Sequence, residues 1–118
     1  MAMEDRFKEV AWLGDARKNM IDFPTEVRKS MGYALQLAQA GGMSTDAKPF
    51  KGVGSGVFEI VKRHNTDTYR AVYAVKIGEK IYVLHAFQKK SKSGIKTPQA
   101  DIELIKQRYK EALRREGL

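Results

Sequence analysis

Cysteine is absent from this chain of 118 residues. Its absence excludes disulfide bonds and thiolate metal sites, and it is consistent with a cytoplasmic protein. The two histidines, His64 and His85, lie far apart in the sequence and do not have the spacing of metal ligands. We therefore expect no metal ion and no other cofactor.

Long apolar runs are missing as well. No stretch approaches the roughly 20 apolar residues that a membrane-spanning helix needs. The segment from Met1 to Arg6 is charged and leads into no apolar run, so it does not resemble a signal peptide. The sequence therefore predicts a cytoplasmic protein without a membrane partner.

Acidic residues are the scarcer kind of charge. The chain has 14 aspartate and glutamate residues against 22 lysine and arginine residues, which leaves a formal net charge of +8. A small domain with this excess typically binds a polyanion or an acidic protein, although a basic surface without a special partner remains open. Hydrophobic residues make up 42% of the chain, enough for one core, and the length suits a single domain over residues 1–118.

Three segments have helical patterns. A polar run over residues 15–20 predicts one or two helical turns, after a mixed run over residues 8–13 that suits a first strand. Pro24 opens a longer helix, which Gly41-Gly42 end, and Thr97 is the expected N-cap of a last helix. The apolar stripes of the two longer helices are Val27, Met31, Ala34, Leu35 and Ala38, and Ile102, Ile105, Tyr109, Ala112 and Leu113.

Strand patterns fill the middle of the chain. Residues 57–63, 69–76 and 80–87 alternate in the manner of strands, and the short glycine-containing segment 77–79 joins the last two as a hairpin. Residues 43–56 contain glycine, proline, serine and lysine, which predicts a loop. The order of these elements predicts an α+β fold: an antiparallel sheet of three to four strands, with two helices before it and one after it.

Basic side chains cluster on the predicted strands and at their ends. Because neighbouring ends of antiparallel strands converge, these side chains suit phosphate recognition, in which arginine forms paired hydrogen bonds and lysine acts as a point charge. Two alternatives remain open: the lysines protect a sheet edge, and Arg70 forms a structural ion pair with Glu59 or Asp67. The basic residues concerned are Lys62, Arg63, Arg70, Lys89, Lys90, Lys92 and Lys96.

Six short motifs resemble, in the same order, those of the RelE/HigB superfamily of bacterial toxins, in its phage-derived toxin-like branch. They are FPTEVR (23–28), KPFKGVG (48–54), VFEI (57–60), YRAVY (69–73), LHAFQKK (84–90) and TPQADIE (97–103). The resemblance runs from about Trp12 to Leu113. It implies a compact α+β toxin of RelE-like fold, encoded beside a helix-turn-helix antitoxin, that cleaves mRNA without a metal ion.

The resemblance also implies roles for particular residues. Arg70 matches an arginine that binds the scissile phosphate, and Lys89 and Lys90 match a catalytic basic pair in which Lys90 acts as a charge stabiliser or acid. The sequence departs from RelE-type enzymes at Glu59 and Val61, roughly where those enzymes have two lysines, so the general base is left open. The further basic residues expected to contact RNA are Lys51, Lys62, Arg63, Lys92 and Lys96.

Two other side chains are candidates for acid–base catalysis. His85 has a suitable side chain, but on an inward strand face a packed histidine is the favoured interpretation. Tyr109 corresponds to a tyrosine that some members supply from the last helix, although its spacing in an apolar stripe favours core packing. Trp12, Phe58 and Phe87 could stack on RNA bases, whereas aromatic residues at strand spacing more often belong to a core.

The sequence therefore predicts a cytoplasmic toxin that acts as a metal-independent endoribonuclease on mRNA, at the ribosome. Its expected partners are the ribosome with its mRNA and an antitoxin whose acidic or amphipathic segment covers the basic face, and DNA is reached only through that antitoxin. The alternative is a catalytically weak or inactive protein of the same fold that acts with its antitoxin in repression. Glu59 and Val61 motivate this alternative. No sequence feature favours a third possibility, a basic phage protein recruited to assembly.

Overall fold

A computed structural model of the chain describes residues 7–89 and 96–118. This part of the chain forms one five-stranded sheet and three helices, which confirms the α+β class. The elements in chain order are β1 (Glu9–Trp12), α1 (Ala16–Ile21), α2 (Thr25–Gln39), β2 (Ala47–Pro49), β3 (Val57–His64), β4 (Asp67–Ile77), β5 (Lys80–Lys89) and α3 (Gln99–Arg115).

The sheet is mixed, whereas the sequence predicted a purely antiparallel one. The strand order is β1-β5-β4-β3-β2, and β1 pairs with β5 in parallel while the other neighbours are antiparallel. A tight hairpin forces two strands to be antiparallel, as at the turn between β4 and β5. No such turn joins β1 to a neighbour, so only its packing at the sheet edge determines its direction.

Strand β2 is one that the sequence did not predict, since it lies in the segment whose composition predicted a loop. It is three residues long and pairs only with β3, so it forms an edge of the described sheet. Pro49 is accommodated there because an edge strand does not need every backbone N–H for the ladder. The proline and glycine content of this segment therefore concealed a short strand from sequence analysis.

Two apolar layers cover the two faces of the sheet. Helices α1 and α2 pack on one face, and the whole apolar stripe predicted for α2 is buried there. Helix α3 packs on the other face through Ile105 and Ala112, with Ile102, Tyr109 and Leu113 partly buried beside them. We refer to these as the α2 face and the α3 face of the sheet.

A bulge in β5 decides which side chains reach the α3 face. Val72 pairs with His85 while Tyr73 pairs with Val83, so Leu84 is the additional residue. A β-bulge of this kind reverses the alternation beyond it. Unbroken alternation over residues 80–87 predicts His85 and Phe87 on the same side as Ile81 and Val83. This prediction is wrong, because the bulge turns His85 and Phe87 onto the α3 face.

Candidate functional site

Arg70 lies at the centre of the sheet, on the α3 face. It pairs with Val61 on β3 and with Phe87 on β5, and only 5% of its surface is exposed. Its Nη1 donates a hydrogen bond of 2.8 Å to Oε1 of Glu59, a side chain that is also buried. Burying an ion is unfavourable unless it is paired. The ion pair with Glu59, which the sequence left open for Arg70, is formed.

Lys89 lies on the same face as Arg70. It pairs with Thr68, which is two residues before Arg70 on β4, and its side chain is buried. Its ammonium group donates a hydrogen bond to the backbone carbonyl of Lys96, which precedes α3. The buried basic residues of β4 and β5 thus come together on the α3 face.

The two basic residues near the end of β3, Lys62 and Arg63, lie on opposite faces. Lys62 pairs with Tyr69, which packs in the α2-face core, and its Nζ is 3.2 Å from Oδ2 of Asp46. Arg63 pairs with Thr68 and is exposed on the Arg70 side. Arg63 rather than Lys62 therefore extends the basic surface around Arg70.

The remaining basic candidates are not brought to Arg70 by described contacts. Lys51 is exposed in the turn between β2 and β3. Lys96 is exposed ahead of α3, and its backbone rather than its side chain contacts Lys89. Lys90 and Lys92 lie outside the described residues.

His85 belongs to a hydrogen-bonded chain of four side chains. Its Nε2 is 2.8 Å from Oδ1 of Asp101, and its Nδ1 is 3.3 Å from Nη1 of Arg108, which also reaches Asp15 at 2.9 Å. Arginine can only donate, so the network assigns Nδ1 as the acceptor and Nε2–H as the donor to Asp101. With both ring nitrogens engaged and its ring stacked on Phe87, His85 is a packed histidine.

Arg108 is a structural residue that sequence analysis missed. It links α3 to β5 and to Asp15, since it donates to the Leu84 carbonyl at 3.0 Å as well as to that carboxylate. The hydrogen bond from Arg108 is the main reason that the pKa of Asp15 is lowered from its usual value. A sequence signal was present, because Asp101, Ile105 and Arg108 recur at four- and three-residue spacing and so share the buried side of α3.

The aromatic candidates all take part in packing. Tyr109 is partly buried in the α3-face core, and a Cβ atom added to Gly54 would overlap its ring and hydroxyl. Trp12 and Phe58 pack against the α2-face core. Phe87, next to Arg70 and stacked on His85, is the member of this set beside the candidate site.

The described residues offer no cluster of three or more histidine, cysteine or acidic side chains that could hold a metal ion. Within the same part of the chain, no helix is long and apolar enough to cross a membrane. Arg70, Glu59, Lys89 and Arg63 lie on the α3 face and constitute the candidate site. Arginine and lysine side chains held in this way are of the kind that can bind an anion.

The fold and this face define a small α+β protein of RelE-like architecture with a buried arginine at the centre of its sheet. The family model described as "Phage derived protein Gp49-like (DUF891)" matches residues 18–110, which is most of the chain. The chain therefore belongs to this phage-derived family, which is part of the RelE/HigB-like toxin superfamily. A comparison with curated proteins found no match.

Proposed function

We propose that this protein is the toxin of a type II toxin–antitoxin module and cleaves mRNA at the ribosome without a metal ion. The observation that carries the proposal is the position of Arg70, fixed by Glu59 in the middle of the α3 face with Lys89 on the neighbouring strand. Family membership and the net charge of +8 support it.

The reaction proposed is attack of an RNA 2′-oxygen on the adjacent phosphorus. The 2′-O–P bond forms as the P–O5′ bond breaks, a base takes the 2′-OH proton, and an acid returns one to the 5′-oxygen. Negative charge builds up on the phosphate in the transition state, where fixed cations are most effective. Arg70 and the Lys89–Lys90 pair would supply this charge, and the requirement for a 2′-OH would spare DNA.

Glu59 would prepare the site before RNA arrives. A guanidinium held in one orientation loses less conformational freedom when it binds phosphate, and preorganised charge stabilises a transition state more effectively. The Glu59–Arg70 hydrogen bond holds the guanidinium in such an orientation. The RNA phosphate would then meet an Arg70 guanidinium that is already oriented and has already lost part of its hydration.

The test is cleavage of mRNA with the purified protein in a ribosome-containing assay, with the RNA ends mapped. We expect 2′,3′-cyclic phosphate ends and no inhibition by EDTA. Arg70→Lys preserves the charge opposite Glu59 but not the planar fork, and we expect it to lower the cleavage rate about a hundredfold. Hydroxyl ends that require magnesium, or no cleavage by the wild-type protein, would contradict the proposal.

Arg63 and Lys62 provide a matched pair for the RNA surface. They are adjacent on β3 but face opposite sides of the sheet. Arg63→Ala is expected to weaken RNA binding and to reduce its dependence on salt, because one phosphate contact is lost. Lys62→Ala serves as the control, and an equal effect of the two substitutions would indicate diffuse attraction by the whole surface.

One observation favours a second function. The Glu59 carboxylate partly neutralises Arg70, and residues 59 and 61 do not supply lysines, so a protein that binds without efficient catalysis is the alternative. It would act with a helix-turn-helix antitoxin that contacts DNA and represses transcription. Tight binding of RNA or antitoxin without cleavage, together with an unaltered RNA pattern when the chain is expressed alone, would favour this alternative.

A further inference from the structure

An apolar cleft lies on the α2 face, on the opposite side of the sheet from Arg70. Residues of strand β1 and of helices α1 and α2 line this open cleft, and its volume is about 280 Å³. That volume is at the lower limit of small-molecule sites and suits one or two large side chains. The lining residues are Val10, Trp12, Arg17, Met20, Ile21, Arg28, Gly32, Leu35 and Gln39.

Hydrogen bonds connect the elements that form the walls of this cleft. Arg28 donates from Nη1 to the carbonyl of Ile21 at the end of α1, at 3.0 Å. Gln39 and Lys8 exchange two hydrogen bonds, Nε2 to carbonyl at 2.7 Å and backbone N–H to carbonyl at 2.9 Å, which connect α2 to the start of β1. Ile21 remains 45% exposed beside the opening. The cleft is thus formed in advance, which lowers the conformational cost of binding.

No contact among the described residues explains why position 32, inside α2, is a glycine. It lies inside α2, where glycine is less favourable than alanine, and its φ is not positive. A Cβ atom at this position would meet nothing within 4 Å, so no described packing requires its absence. Arg28, Gly32, Leu35 and Gln39 recur at helical spacing along the cleft. The missing side chain therefore leaves space for an atom of another molecule.

The charge at the cleft indicates the kind of molecule. Arg17 and Arg28 contribute its charged side chains, and no lining residue is acidic. An apolar floor with a cationic rim is complementary to a large apolar side chain flanked by carboxylates, and such central apolar anchors dominate the affinity of protein interfaces. We propose that this cleft is the docking site for an acidic, apolar-anchored segment of a protein partner, the antitoxin.

This inference rests on the proposed function for the identity of the partner. It differs from the expectation that the partner covers the basic face, because the docking residues face away from Arg70. Binding of the partner and cleavage of RNA would therefore be separable by substitution. No cleft residue belongs to the candidate catalytic face.

The experiment uses the purified product of the gene adjacent to that of this chain, titrated calorimetrically against the full chain. Gly32→Leu fills the cleft and is expected to lower the affinity at least about tenfold, with RNA cleavage unchanged and the melting temperature not reduced. Arg17→Glu is expected to lower the affinity, most at low salt. Lys18→Glu is the matched control, since Lys18 is the exposed neighbour of Arg17 and does not line the cleft.

Three results would contradict the docking site. The inference is overturned if the wild-type chain does not bind this product, if Gly32→Leu binds within about twofold of wild type, or if Lys18→Glu equals Arg17→Glu. A dimer of the chain alone that Gly32→Leu dissociates, measured by light scattering, would assign the cleft to a second copy instead. A wild-type chain that binds through the cleft but does not cleave RNA would retain the inference and refute the nuclease.

Discussion

Replacing Arg70 with methionine is expected to destabilise the protein strongly, although methionine is apolar and of comparable length. The side chains of Arg70 and Glu59 are 5% and 10% exposed, and 2.8 Å separates Nη1 from Oε1. Removing one partner of a buried ion pair leaves the other ion poorly compensated, at a cost of about 3–5 kcal/mol. This is a large part of the 5–15 kcal/mol that typically stabilises a domain.

The double variant Arg70→Met/Glu59→Leu separates charge from packing. Similar-volume apolar residues in place of both ions are expected to recover most of the lost stability, because neither ion of the pair is left without the other. The free energy of unfolding is measured by urea titration, followed by circular dichroism, for the wild-type protein, Arg70→Met, Glu59→Leu and the double variant. With a slope of about 1–3 kcal/mol/M, the midpoint of Arg70→Met should fall by at least about 1 M.

Two results would refute this reasoning. A loss below about 1 kcal/mol for Arg70→Met would be typical of an exposed ion pair, and it would mean that water screens the Glu59–Arg70 interaction. A double variant as unstable as the single variants would mean that Arg70 and Glu59 stabilise the protein through their packing and not through the attraction between their charges. The prediction also bears on activity assays. Alanine or methionine at position 70 would lower activity through unfolding as well as through loss of the guanidinium, whereas Arg70→Lys preserves the charge opposite Glu59.

Three further predictions concern other parts of the chain. Gly32→Ala should raise the free energy of unfolding by about 0.5–1 kcal/mol in thermal melts, and a decrease would reveal a packing contact at that position. Gly54→Ala should lower it by about 1–3 kcal/mol because the added methyl overlaps Tyr109, and Tyr109→Leu in the same chain should relieve part of this loss. The pKa of Glu116 is lowered, mainly by the hydrogen bond from Tyr82. Its stabilising contribution is therefore present above the unfolded pKa of about 4.3 and is lost as the pH falls through the lower folded value. Glu116→Gln should flatten the acid limb of stability against pH, and an unchanged limb would contradict the assignment.

Local patterns were sufficient for the elements that depend on near neighbours in the chain. The apolar stripe of α2 was predicted completely, because residues three and four apart necessarily share one side of a helix. The starts of β3 and β5 and the hairpin at Gly78 were also predicted, because alternation and turn residues act over only a few positions. The strand expected over residues 8–13 is confirmed as β1.

Features that join distant segments were not predictable in the same way. One additional residue in β5 moves His85 and Phe87 to the other face, and alternation alone does not reveal where a bulge occurs. The ion pair between Arg70 and Glu59 required the register of β3 against β4, because it joins residues on two different strands. Arg108 and Asp15 are 93 residues apart, so no local pattern relates them.

The amino-acid sequence alone was enough to indicate the fold class, the family and the candidate basic residues, because composition, helical periodicity and short motifs are local properties. Tertiary structure decided the parallel direction of β1, the faces on which Lys62 and Arg63 lie, the burial of Arg70 against Glu59, and the cleft beside Gly32. These depend on strand register and on the packing of helices against the sheet, and both are determined by contacts among residues far apart in the chain.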